Sequence, residues 1–226
     1  MEMPHESPTF FETFLDDWRD GYPQGARFVR DGAVNWDEWI SQKTPKVLFL
    51  LKEAYTDEPD GFDLREYVRL WRKWKGTWQG VAIITKAIHD AAKGDILFDK
   101  RFLEEERGKI LQSISIVNIK KVYGESKSCN DDLLCYARHD AEFISREIEM
   151  LEPNVVVCGG TRWLLEEVVR ERDRKGNRGR IDSRAEGDSV GRWQDFLILD
   201  TYHPSAPVRR SMLYYSTAAM WLSANR

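Results

Sequence analysis

Three side chains of chemically capable types stand just beyond apolar runs of this chain. The run Phe196–Leu199 stops at Asp200-Thr-Tyr-His203-Pro204-Ser205. Val47–Leu51 gives way to Lys52-Glu53-Ala54-Tyr55, Ile114–Val117 to Asn118-Ile-Lys120-Lys121, and Val155–Val157 to Cys158-Gly159-Gly160-Thr161. An imidazole such as His203 can donate a hydrogen bond to developing negative charge. The amide of Asn118 offers both a donor and an acceptor. The carboxylate of Glu53 can orient water or stabilise a cation. Gathered in one crevice with an aromatic ring, such a set would surround and act on a single ligand.

The four runs are short and apolar throughout, as parallel strands buried on both faces are. Helical patterns separate them, at 63–75, 81–92, 99–112, 161–172 and from Val208 to Ala219. The clearest is Leu134, Ala137, Ala141, Ile144, Ile148 and Leu151, spaced three and four apart after an Asn130-Asp131 cap. Strands alternating with helices specify a parallel sheet covered on both faces, with right-handed crossovers. The carboxyl ends of the strands then share one edge, where open α/β sheets bind ligands. The expected fold class is α/β, a three-layer α/β/α sandwich around a central four-stranded parallel sheet. Residues 45–226 form its single domain, and residues 1–44 a helical extension packed on it. Residues 173–192, rich in Arg, Gly, Asp and Ser, read as a long exposed loop. Residues 170–184 carry seven basic and three acidic side chains, so this loop is either simply solvated or in contact with phosphates.

A chain of 226 residues suits one substantial domain. Charged residues make up 32% and no apolar run reaches membrane-span length, so a soluble protein is expected. The amino terminus lacks the charged-then-apolar form of a secretory signal. Three cysteines, wrongly spaced for a disulfide framework or a four-thiolate metal site, point to a reducing, cytoplasmic location. The net charge of −4 argues against coating nucleic acid but leaves room for a local grip.

The ordered set of motifs resembles the uracil-DNA glycosylase superfamily, from about Pro45 to Trp221. Thr201-Tyr-His203-Pro-Ser205 matches its His-Pro-Ser motif, and Asn118 the amide that ends its second strand. The stretch from Glu147 to Gly160 looks like its helix, proline, apolar strand and glycines. The first motif departs: relatives carry Gly-Gln-Asp-Pro-Tyr, Gly-Glu-Ala-Pro-Gly or Gly-Met-Asn-Pro-Gly, where this chain has Leu51-Lys-Glu-Ala-Tyr55.

The resemblance implies a uracil-DNA-glycosylase-like fold and a monofunctional DNA glycosylase that flips out an abnormal pyrimidine and hydrolyses its N-glycosidic bond. His203 and Glu53 would be catalytic. Asn118 would read the base, against Tyr55, Ala54 and a ring from Phe62 or Tyr67. Ser205, Pro207, Arg209, Arg210 and Lys120 would hold DNA, as a duplex with a flipped base or as a single strand. No metal or other cofactor is expected, because the iron–sulfur branches' cysteine spacing is missing, and a monomer is expected. Uracil is the default substrate. The altered first motif opens the way to a modified pyrimidine, including a modified cytosine of phage DNA, and so to antiviral defence. The alternative is a non-catalytic DNA-binding relative. An α/β enzyme acting on free nucleosides has little support, for the chain has no dinucleotide fingerprint, Walker sequence or nucleophile elbow.

Overall fold

The computed structural model describes residues 7–55, 62–70, 76–124, 128–176, 180–183 and 189–225. Helix α1 (Pro8–Asp20) starts with a proline at its head, and Ser7 Oγ accepts the Phe10 N–H at 3.3 Å. Then come β1 (Gly32–Ala33), α2 (Trp36–Ser41), β2 (Val47–Glu53), α3 (Leu64–Leu70), α4 (Thr77–Lys93), α5 (Phe102–Glu105), α6 (Arg107–Gln112) and β3 (Ser115–Lys120). The second half runs α7 (Asn130–His139), α8 (Ala141–Leu151), β4 (Val155–Gly159), α9 (Arg162–Arg174), β5 (Asp182–Ser183), β6 (Val190–Trp193), β7 (Phe196–Thr201) and α10 (Arg210–Ala224).

The seven strands among the described residues join one sheet in the order β1-β3-β2-β4-β7-β6-β5. Its four central strands are parallel, with Leu50 of β2 opposite Val117 of β3 and Cys158 of β4. The sheet is therefore mixed and wider than four strands. Antiparallel β1 closes one side against β3, and β6 followed by β5 closes the other against β7. Short antiparallel strands at both flanks shield the exposed edges of the long parallel ones.

Period-two alternation divides the core. Val47, Phe49 and Leu51 of β2, with Val155, Val157, Leu197 and Leu199, pack against α3, α4, α5, α6 and α10. Leu48, Leu50, Val156, Cys158 and Ile198 turn the other way, to α1, α2, α7, α8 and α9. The fold is α/β, with helices on both faces.

Several local expectations change. The residues before 45 are not only helical, because β1 enters the sheet beside β3. The apolar stripe through Leu134 and Leu151 breaks at Asp140 into α7 and α8. The Asp140 carboxylate there receives the Tyr22 hydroxyl and lies 2.7 Å from His139 Nδ1. No side chain caps α7, which begins at Asn130 itself. The helix expected over 99–112 divides at Glu106. The part of the 63–75 helix beyond Leu70 lies outside the described residues, as do 177–179 and 184–188 of the expected loop. The rest of that loop is the end of α9 and the β5–β6 hairpin. Of the basic side chains over residues 170–184, three are spent on neighbours: Arg172 reaches Glu149 at 2.5 Å, and Arg170 and Arg174 pair with Glu167 and Glu171.

One cluster of charge lies wholly inside. Lys121 follows β3 and is fully buried, with Nζ between Asp31 and Glu147, 2.6 Å from Glu147 Oε2 and 4.6 Å above the Trp18 ring. It ties together α1, the turn into β1, β3 and α8. Burial, and then the Asp31 carboxylate, push Glu147 well above the ordinary carboxylate range. Removing the lysine alone strands buried negative charge. Lys121→Met is expected to cost about 3–5 kcal/mol in urea unfolding. Adding Asp31→Asn and Glu147→Gln, which empties the site of charge, should recover much of that loss.

Candidate active site

The carboxyl ends of β3, β2, β4 and β7 place Lys120, Lys52, Glu53, Gly159 and His203 along one edge of the sheet. The turn His203-Pro204-Ser205 is wedged between β4 and α4. A Cβ on Gly80 of α4 would lie 1.9 Å from the Pro204 carbonyl oxygen, and one on Gly159 would lie 2.7 Å from Pro204 Cδ. No larger residue fits at Gly80 unless the turn withdraws, because the obstacle is backbone.

This turn dictates the state of the imidazole. The Ser205 N–H donates to His203 Nδ1 at 3.1 Å, and Ser205 Oγ stands 2.7 Å from the same nitrogen. Nδ1 is thus an acceptor, which leaves the proton of the neutral ring on Nε2. Nε2 has no hydrogen-bond partner among the described residues. Partial burial, and then the Lys52 ammonium, lower the His203 pKa, which favours the neutral ring. The result is a half-buried N–H donor held by the backbone of Ser205. Ser205, a residue expected to hold DNA, stands five residues before α10 begins at Arg210, and its hydroxyl is placed against the histidine.

Glu53 ends β2 directly opposite Lys120 of β3. Its side chain is only 6% exposed, and Oε2 lies 3.3 Å from Lys120 Nζ. The other oxygen, Oε1, is buried without a hydrogen-bond partner among the described residues. A buried carboxylate oxygen left unsatisfied marks a place for water or a substrate group. Gly124 closes over this carboxylate, and a Cβ there would come within 2.4 Å of Oε2. Lys120 also donates to Asp132 at 2.6 Å and sits 5.2 Å from the Tyr136 ring centre. Burial pushes its ammonium down, but Asp132 and Glu53 more than offset this and raise it. Lys120 is accordingly a partner of carboxylates rather than a free phosphate contact.

Other expected site residues are placed differently. Asn118 is 1% exposed, and its backbone N–H and Nδ2 both donate to Asp31 Oδ2, at 2.7 and 2.9 Å. Its amide is a buried pin between β3 and the turn into β1, not an open reading group. Ala54 is buried in the core, with its carbonyl taken by Gly124 N–H at 2.9 Å. Phe62 packs on Tyr67 and edge-on to Tyr123, against the core. Tyr55 projects from the edge with 63% of its surface open. Pro207, Arg209 and Arg210 are exposed on the approach to α10.

Asp31 is the residue sequence reasoning missed, because no spacing ties residue 31 to residues 118 and 121. Two open clefts of about 360 and 490 Å³ lie elsewhere, the first between Arg180, Arg192 and Leu197, the second between Glu12, Trp36 and Arg65. Among the described residues, no three His, Cys, Asp or Glu side chains are grouped to hold a metal ion.

Two measurements check this geometry. In a pH titration followed by NMR, the neutral His203 ring should show the Nε2–H tautomer. Lys52→Met, which removes a nearby cation, should shift its titration upward. Asn118→Asp should set another carboxylate against Asp31 and lower stability by about 2 kcal/mol or more. Unchanged stability with an altered base preference would return Asn118 to a reading role. Compared with known proteins, the chain matches no protein-family model and no curated protein.

Proposed function

We propose that the protein is a DNA glycosylase of the uracil-DNA glycosylase kind, which holds an extruded pyrimidine at this edge and hydrolyses its N-glycosidic bond. The observation that carries the reading is the clamped neutral His203, whose Nε2–H is free to donate. Cleaving the bond leaves negative charge on the departing base and positive charge on the sugar. A fixed donor to the base carbonyl lowers the barrier without giving up its proton, an effect typically of a few kcal/mol. Glu53, on the strand beyond the neighbour of β7, offers the complementary group. Two strand spacings separate the two chains, roughly 10 Å, of the order of a nucleoside's length. The unpartnered Oε1 would orient water toward the sugar carbon or face its cationic character, and Lys120 holds the other oxygen. Tyr55 is the accessible ring for the base, and Arg209 and Arg210 are the accessible cations for phosphate.

The order of the central parallel strands and the His-Pro-Ser turn at the end of the last of them support a glycosylase-like α/β/α sandwich. The burial of Asn118 favours a second reading, a non-catalytic relative that binds DNA without turnover, because the group expected to select the base is withdrawn.

A panel of oligonucleotides carrying uracil, thymine mismatches or 5-substituted cytosines, treated with alkali to reveal abasic sites, separates the two readings. Cleavage of at least one member is expected. His203→Ala should then reduce turnover by about two to three orders of magnitude with little loss of binding. DNA binding with no product from any member would sink the glycosylase and leave the binding module.

A further inference from the structure

Three large rings stand exposed along the same edge, one at each of three adjacent strand ends. Tyr55 follows β2, Trp163 lies in the first turn of α9 just after β4, and Tyr202 follows β7 immediately before His203. They are 63%, 39% and 44% exposed, and among the described residues none stacks on another ring. Exposed rings grouped on one surface are more informative than rings scattered singly, and β2, β4 and β7 are neighbours in the sheet. The three rings therefore follow one another across this edge, one per strand end.

We infer that this row is a stacking platform for single-stranded DNA, so that the strand flanking the target base is bound unpaired. The inference rests on the reading that the ligand is DNA. In a duplex the base faces are already stacked on one another and closed to side chains, whereas an unpaired strand offers every face. Charge points the same way. The chain carries a net −4, and of the cations at this edge Lys120 and Arg162 are paired with carboxylates, which leaves chiefly Lys52, Arg209 and Arg210. Asp200 lies close to both Arg162 and Glu166, so the carboxylates there outnumber the cation. Such an edge gains little by neutralising the two phosphate rows of a duplex, and stacking supplies affinity that charge does not.

The test is fluorescence anisotropy of the whole protein with a labelled short oligothymidine and with a hairpin duplex of equal nucleotide number, over a salt series. The single strand should bind at least tenfold more tightly, with a shallow salt dependence. Trp163→Ala and Tyr202→Ala, both at exposed sites, should each weaken single-strand binding by roughly five- to a hundredfold. Trp163→Phe should keep most of the affinity. The inference is overturned by equal or tighter duplex binding, by alanine variants that bind the single strand normally, or by binding to neither DNA. Self-association that Trp163→Ala abolishes, with single-strand affinity untouched, would assign the row to a second copy of the chain and equally overturn it. Binding is measured without turnover, so the outcomes separate. Cleavage confined to duplexes that bind better than the single strand removes this inference alone, whereas tight single-strand binding without abasic product removes the glycosylase alone.

Discussion

The ammonium of Lys121, sealed between Asp31 and Glu147, is the constraint from which much of the site's geometry follows. A charge without water must be met by opposite charge and hydrogen bonds, or folding fails. Meeting it draws the turn before β1, the end of β3 and the middle of α8 to one point, over the Trp18 ring. Asp31 is then shared, and its second oxygen holds both the backbone and the side-chain amide of Asn118. Because successive side chains of an extended chain diverge, fixing Lys121 inward leaves Lys120 toward the crevice, where it meets Glu53. One buried ion cluster therefore locates the cation that holds the candidate catalytic acid.

The candidate site couples two groups prepared in different ways. His203 is prepared by backbone: a turn that cannot move past Gly80 and Gly159 gives its Nδ1 a donor and leaves the opposite nitrogen bearing the proton. Glu53 is prepared by electrostatics: Lys120 engages one carboxylate oxygen and close packing against Gly124 fixes the position, while the other oxygen stays unsatisfied. A donor and a carboxylate held in this way undergo little reorganisation during reaction, which is where preorganised sites gain most of their effect.

The exposed aromatic side chains belong to the same economy of the edge. The central strands are buried on both faces, so polar and functional side chains collect where the strands end. There the segments after β2, β4 and β7 leave Tyr55, Trp163 and Tyr202 open at the edge that also carries the histidine.

The sequence alone was enough to identify the four central strands, most of the helices and the common edge at which the parallel strands end, because these follow from local periodicity and from the geometry of parallel sheets. Short elements escaped it: β1, β5 and β6 are too brief to show alternation, and the breaks at Glu106 and Asp140 fall within unbroken apolar stripes. The fate of Asn118 depended on Asp31, which is 87 residues away along the chain. Whether an amide reads a ligand or pins a strand is decided by the partner that reaches it, and only the folded chain brings that partner near. The same holds for Lys120 and Lys121, identical neighbours in sequence, which the alternation of an extended chain sends to opposite fates.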